Sequence, residues 1–159
     1  MEDSKHDSGT FTIKDIEETG QTQALDLAWR VFKKFEAPEY SEQGIESFRQ
    51  ALRSSKFLSL LKTYGAFNQE EMVGMLSTRN KGSHIALLFV DERFHRMGIG
   101  RKLFELALTN CPTQEMTVNS SPYAIEVYHA LGFIDADVEQ ITDGIRYTPM
   151  VYKRKNDVI

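Results

Sequence analysis

His95-Arg96-Met97-Gly98-Ile99-Gly100-Arg101 combines basic side chains with two glycines in a short stretch. It follows an apolar run from Ile85 to Val90. It leads into Gly98 to Asn110, where apolar residues recur at helical spacing. Read as strand, loop and helix, the stretch aims several backbone N–H groups and the positive end of a helix dipole at one place. Such a place binds anions, most naturally phosphate. Arg93, His95, Arg96, Arg101 and Lys102 crowd here in a chain whose net charge is −4. A basic cluster at a helix N-terminus opposes the dipole unless an anion sits there. The plainer reading is a solvated basic patch.

Two familiar phosphate loops do not fit. A P-loop needs Gly, four residues, then Gly-Lys-Ser/Thr. After Gly98 the chain reads Ile99-Gly100-Arg101-Lys102-Leu103, with no hydroxyl for a magnesium ion. A dinucleotide fingerprint needs Gly or Ala three residues after its second glycine. That position is Leu103, and Asp91 to Met97 make the loop before Gly98 too long.

The elements that must position this loop follow from periodicity. Phe11 to Ile16 alternates apolar and polar as a first strand. Leu25, Ala28, Val31, Phe32 and Phe35 form a helical stripe that Ala37-Pro38 ends. Trp29 lies on this helix as a core or groove-wall residue. Ser41 caps a second helix with Ile45, Phe48 and Leu52 inward. Phe57 to Leu61 is ambiguous between helix and strand. Lys62 to Phe67 and Met72 to Thr78 read as a hairpin. His84 to Val90 is apolar enough to be buried on both faces. Glu115 to Asn119 is the next strand, parallel to it through a right-handed crossover. Ser121-Pro122 starts another helix, which Gly132 ends. Phe133 to Ile141, a turn at Asp143-Gly144, and Ile145 to Tyr152 close with a hairpin.

The totals bound the class. With 159 residues, 41% hydrophobic and four prolines, the chain reads as one packed domain, residues 11–154. Short tails at 1–10 and 155–159 flank it. The fold class is α/β in the α+β sense, a mostly antiparallel central sheet with one parallel pair and flanking helices. Net acidity argues against a general nucleic-acid binder. Cys111, the only cysteine, excludes an internal disulfide and fits a reducing, cytoplasmic location. Near a helix end, it reads as a small buried side chain rather than a nucleophile. No apolar run approaches a membrane span, and the first ten residues lack the apolar core of a secretory signal.

A third loop pattern fits. Arg/Gln-x-x-Gly-x-Gly/Ala opening a helix after a central strand is the acyl-coenzyme A loop of the GNAT superfamily of N-acetyltransferases. Val118-Asn119-Ser120-Ser121-Pro122-Tyr123-Ala124, then Val127-Tyr128-His129-Ala130-Leu131-Gly132-Phe133, resembles the same family's Asn…Ala…Tyr…Leu-Gly-Phe signature. The resemblance runs from Phe11 to Lys153 and includes the element order. His95 departs from it, standing where the family has Arg or Gln; Arg96 beside it is the alternative source of charge.

The resemblance implies acetyl-coenzyme A as co-substrate, no metal, and direct transfer to a primary amine. It implies that the backbone of Leu88, Phe89 and Val90 pairs with the pantetheine arm. The N–H groups of His95, Arg96, Met97, Gly98, Ile99, Gly100 and Arg101 hold the pyrophosphate, and Asn119 bonds the pantetheine or the next helix start. Tyr128 protonates the leaving thiolate, its alternative role being a core aromatic; a phenol is protonated at neutral pH. An N–H near Phe89 or Val90 stabilises the oxyanion. The base stays open among His84, Glu70, Glu71, Asp91, Glu92 and a water chain; His84 reads equally as a surface residue at a strand end. The acceptor, a small molecule or a peptide, depends on the first two helices, the Glu36 to Gly44 loop and the last hairpin. Neither nucleic acid nor membrane is an expected partner, and the last strand leaves a homodimer open. The competing reading is a non-catalytic acyl-coenzyme A-binding or regulatory module.

Overall fold

In the computed structural model, which describes residues 11–17 and 20–155, an eight-stranded sheet carries helices on both faces. The expected tail at 1–10, and the one at 155–159 apart from Lys155, lie outside the described residues. The strands are β1 (Thr12–Asp15), β2 (Lys62–Asn68), β3 (Glu71–Arg79), β4 (His84–Val90), β5 (Glu115–Ser120), β6 (Ile134–Asp135), β7 (Gln140–Thr142) and β8 (Ile145–Lys153). The helices are α1 (Gln21–Val31), α2 (Glu42–Arg53), α3 (Ser55–Leu58), α4 (Ile99–Thr109) and α5 (Ile125–Leu131). The strand order is β1-β2-β3-β4-β5-β8-β6, with β7 also beside β8. The sheet is the expected mixed one: β4 and β5 are parallel, and the other pairs are antiparallel.

Two apolar layers sandwich the sheet. On one side, Ala24, Leu27, Ala28 and Val31 of α1 and Leu52 of α2 meet Met72, Met75, Leu87 and Phe89. On the other, Ile99, Leu103, Phe104 and Ala107 of α4 and Tyr128 and Leu131 of α5 meet Val73, Leu76, Ile85 and Val118. Strand β4 feeds both layers, as its continuous apolar run predicts. It does so around a bulge. Ser77 pairs with Leu87 but Thr78 pairs with Ile85, so Ala86 has no partner on β3. The extra residue flips the alternation, placing Ile85 and Leu88 on one face and Leu87 and Phe89 on the other.

Local chemistry sets most boundaries. Ser41 Oγ accepts the Gly44 N–H at 3.2 Å and caps α2. Gly132, at φ 108°, ends α5 in the left-handed cap. Three expectations shift. Helical turns after α1 run through Ala37-Pro38 to Glu39, because a π turn (Phe32–Glu36) and a 3-10 turn (Ala37–Glu39) absorb the proline. Helix α5 starts at Ile125 rather than Ser121, whose Oγ instead closes a preceding turn on the Ala124 N–H at 3.2 Å. The strand expected over Phe133 to Ile141 divides into β6 and β7, which pair with different stretches of β8. Phe57 to Leu61 resolves as the end of α3 and a turn.

Candidate active site

The parallel pair splits. β4 meets β5 only at His84–Thr117 and Ile85–Val118. Beyond this, β5 continues along β8 while β4 runs on from Leu87 to Val90 with no partner on that side among the described residues. The opening becomes a cleft through the sheet. A cavity of about 360 Å3 lies at the loop end, lined by Val90, His95, Gly98, Gly100 and Tyr123. A second, of about 240 Å3, lies toward α2 and is walled by Tyr40, Phe48, Ala51, Phe57 and Asn119. Glu36, Leu88, Phe89, Ala124 and Tyr128 line both.

The loop presents free donors. The backbone N–H groups of Arg96 through Arg101 find no acceptor among the described residues, and the Lys102 N–H is the first to bond back, to Gly98. Gly98 sits at φ 82°, a conformation other residues adopt at a penalty. A Cβ on Gly98 or Gly100 would meet no atom within 4 Å, so open space lies before both. The cradle fits a pyrophosphate.

The basic side chains are less available than their number suggests. Arg93 pairs with Asp91 and Glu71. Arg101 donates to the Ala130 carbonyl at 2.7 Å, closing the end of α5. Arg96 and Lys102 make no ion pair among the described residues. His95 turns away from the cradle: its Nε2–H donates to the Val90 carbonyl at 2.8 Å, and its ring packs on Phe35. The imidazole therefore ties the loop to the end of β4. Asn119 lies on the exposed side of β5, on the cavity toward α2.

Tyr128 is buried between the layers, its ring edge-on to Phe133. Its hydroxyl has no hydrogen-bond partner among the described residues. Burial, and then the charge of Glu36, push its pKa well above the usual phenol value, so it keeps its proton. Burial and the same carboxylate also raise Tyr40 and Tyr123. Glu36 is the last residue of the π turn, where the Ala37 N–H reaches back to the Phe32 carbonyl. Its surroundings push its carboxyl up to about 7, mainly through burial, with nearby Ser121 opposing. Sequence alone places Glu36 only in an acceptor loop. The signal that sets it apart is its position four residues after Phe32 and eight after Ala28, on the apolar stripe of α1.

The residues considered for the base are placed otherwise. Asp91 is buried, and hydrogen bonds from Arg93 and Arg30 outweigh that burial and hold it at about 2. Glu92 pairs with Lys34 and Arg30, and Glu71 with Arg93. Glu70 is exposed in the β2–β3 turn. His84 is not a surface residue: it is buried at the start of β4, bonded through Nδ1 to Thr117 Oγ1 at 2.8 Å. Burial and nearby Arg79 lower it to about 4. Cys111 is buried beside Thr113. Among the described residues, no three His, Cys, Asp or Glu side chains gather as a metal site requires.

A mixed sheet that opens between its parallel strands, with a glycine loop leading into the crossover helix, is the architecture of an acyltransferase class. The family model for the acetyltransferase (GNAT) domain matches residues 36–154, and the chain belongs to that family of coenzyme A-dependent N-acetyltransferases. The fold is shared with solved structures. A GCN5-related N-acetyltransferase from Rhodopseudomonas palustris aligns at TM-score 0.78 and 19% identity, over 91% of this chain and 96% of that one. The PaiA N-acetyltransferase of Thermoplasma acidophilum, solved with coenzyme A, aligns at 0.66 and 19%, over 90% and 98%. The ribosomal-protein-S18-alanine N-acetyltransferase of Escherichia coli aligns at 0.58 and 18%, over 94% and 99%. Among curated proteins, none matches. No helix of the described residues is long and apolar enough to cross a membrane.

Proposed function

We propose that this enzyme moves an acetyl group from acetyl-coenzyme A to a primary amine by direct attack, with Tyr128 as general acid. The observation that carries the reading is the cleft itself. Unpaired N–H groups stand at one mouth, an aromatic cavity at the other, and a protonated tyrosine between them.

Each part has a physical role. The N–H groups of Arg96 to Arg101 hold the pyrophosphate at the start of α4, with Arg96 and Lys102 adding charge. The free edge of Leu88 to Val90 receives the pantetheine arm as an added strand. Asn119 faces that arm or the acceptor from β5. When bound, acetyl-coenzyme A supplies a thioester carbonyl open to a nucleophile. The Asp91 N–H turns toward Val73 on β3. Val90, one residue back, therefore turns its own N–H toward the open edge. That N–H donates to the carbonyl oxygen as negative charge builds there. Tyr128 gives its proton to the departing sulfur.

Titration of the protein with acetyl-coenzyme A, followed by thiol release across a panel of amines, tests the reading. Binding with thiol release on at least one amine is expected. Tight binding with no release on any amine would leave the non-catalytic binding module instead.

A further inference from the structure

Between the two cavities stands a carboxylate with no part yet in the transfer. Resting on the acetyl-transfer reading, we propose that Glu36 receives the ammonium group of the acceptor and takes its proton as the amine attacks. Three features of the fold place it there. Glu36 lines both the cavity that opens on the glycine loop and the aromatic cavity under α2. Any acceptor passing from the second cavity toward the free edge of β4 meets it. Its local backbone is irregular: the helix widens into a π turn over Phe32–Glu36. One extra residue in a helical turn rotates the chain beyond it by about 100°, and such turns gather at functional sites. The groups around it are neutral. Ser121 stands near the carboxylate and favours its charged form, and the phenols of Tyr40, Tyr123 and Tyr128 feel its charge. His95, the nearby ring on Phe35, is bonded to Val90. Arg79 and His84 line the cavity toward α2 without pairing with Glu36 among the described residues.

The chemistry suits an amine. An alkylammonium entering an apolar pocket loses hydration, which lowers its pKa, while burial raises that of the carboxylate. The two affinities for the proton converge, and transfer from nitrogen to Glu36 becomes feasible near neutral pH. The proton balance closes. The ammonium gives one proton to Glu36, which releases it to solvent, and the free amine forms the N–C bond. The C–S bond breaks, and the sulfur takes the proton of Tyr128. The second proton on the nitrogen, made acidic by the new N–C bond, returns through water in the cleft to restore the tyrosine. The other carboxylates considered lack this setting, being ion-paired or exposed. The walls, Tyr40, Phe48, Ala51 and Phe57, favour an amine with an apolar body.

The test uses the full chain, acetyl-coenzyme A, thiol release, and three nucleophiles: n-butylamine, phenethylamine and hydroxylamine. Hydroxylamine is uncharged near neutral pH and needs no proton removed before attack. With the alkylamines, the wild type should show a rising limb centred near pH 7. Glu36→Gln should lose this limb and about 10²–10⁴-fold in rate, while retaining its hydroxylamine rate and coenzyme A affinity. Glu36→Asp should retain the limb. A second readout needs no turnover. In protein labelled with ¹³C at glutamate carboxyls, the resonance missing from Glu36→Gln should titrate near pH 7. An unchanged alkylamine rate and limb in Glu36→Gln, or a resonance titrating in the ordinary carboxylate range, would overturn the assignment. A wild type that releases no thiol with any nucleophile overturns the transfer reading itself, and this role with it.

Discussion

Tyr128 and Glu36 show how burial, the leading cause at both, leaves two acids in different protonation ranges. Burial raises both, so the phenol stays protonated and can only donate, while the carboxyl comes to sit near 7 and can exchange its proton. Replacing Tyr128 with Phe removes one oxygen from a packed ring. The fold should survive, coenzyme A affinity measured by calorimetry should hold, and turnover should fall by about 10²–10⁴. Glu36 also makes a prediction about stability. Below about pH 4.5 it is protonated folded or unfolded, and its contribution is full. As pH rises toward 7 the unfolded chain releases the proton while the folded chain keeps it, so the folded state loses relative stability until both are ionised. Glu36→Gln removes the penalty. Denaturant melts should find the variant more stable by about 1–3 kcal/mol at pH 8, with the gap closing toward pH 4.

At the scale of elements, the walls of the acceptor cavity are held by contacts that leave no room. A Cβ on Gly44, in the first turn of α2, would lie 2.2 Å from the Gly144 carbonyl oxygen in the β7–β8 turn. Ser47 Oγ donates to the Asp143 carbonyl in the same turn at 2.9 Å. Ile145, the next residue along, lines the cavity. Helix α2 and the last hairpin are thus fixed to one another where the acceptor would enter. Gly44→Ala must separate them. It should reduce stability by about 1–3 kcal/mol in chemical denaturation, with coenzyme A affinity preserved, because the glycine loop lies at the other mouth. His95 belongs to this scale too. Its imidazole ties the loop to the end of β4 through the Val90 carbonyl.

For the whole molecule, the cleft exists because the sheet divides. Strand β5 follows β8, β4 follows β3, and the gap that opens between them is the cleft. A ligand that fills it bridges the two halves and should stabilise the fold. Coenzyme A at 100 times its dissociation constant should add about 2.7 kcal/mol, which for a domain of this size is a melting shift of roughly 5–10 °C. Gly100→Val should abolish the shift without lowering the ligand-free melting point by more than a few degrees. Its Cβ enters open space and α4 begins without strain there, so only the anion cradle is filled.

The glycine loop opening α4, the central strand, the parallel crossover and the family were legible in the sequence because they rest on local rules. Glycine spacing, helix caps, apolar periodicity and a two-part motif act over a few residues or in fixed order, and the fold carries them through. The π turn, the bulge at Ala86, the divided last strand and the pairing of Arg93 and Arg101 were decided by tertiary structure. Most are settled by a neighbour distant in sequence: β3 for the bulge, β8 for the division, Glu71 and Ala130 for the arginines. Glu36 is the clearest case. Its place on the apolar stripe of α1 is the one sign of it in the sequence. Its raised carboxyl comes from burial that only the folded chain provides, between cavities it shares with Tyr40, Tyr123 and Tyr128.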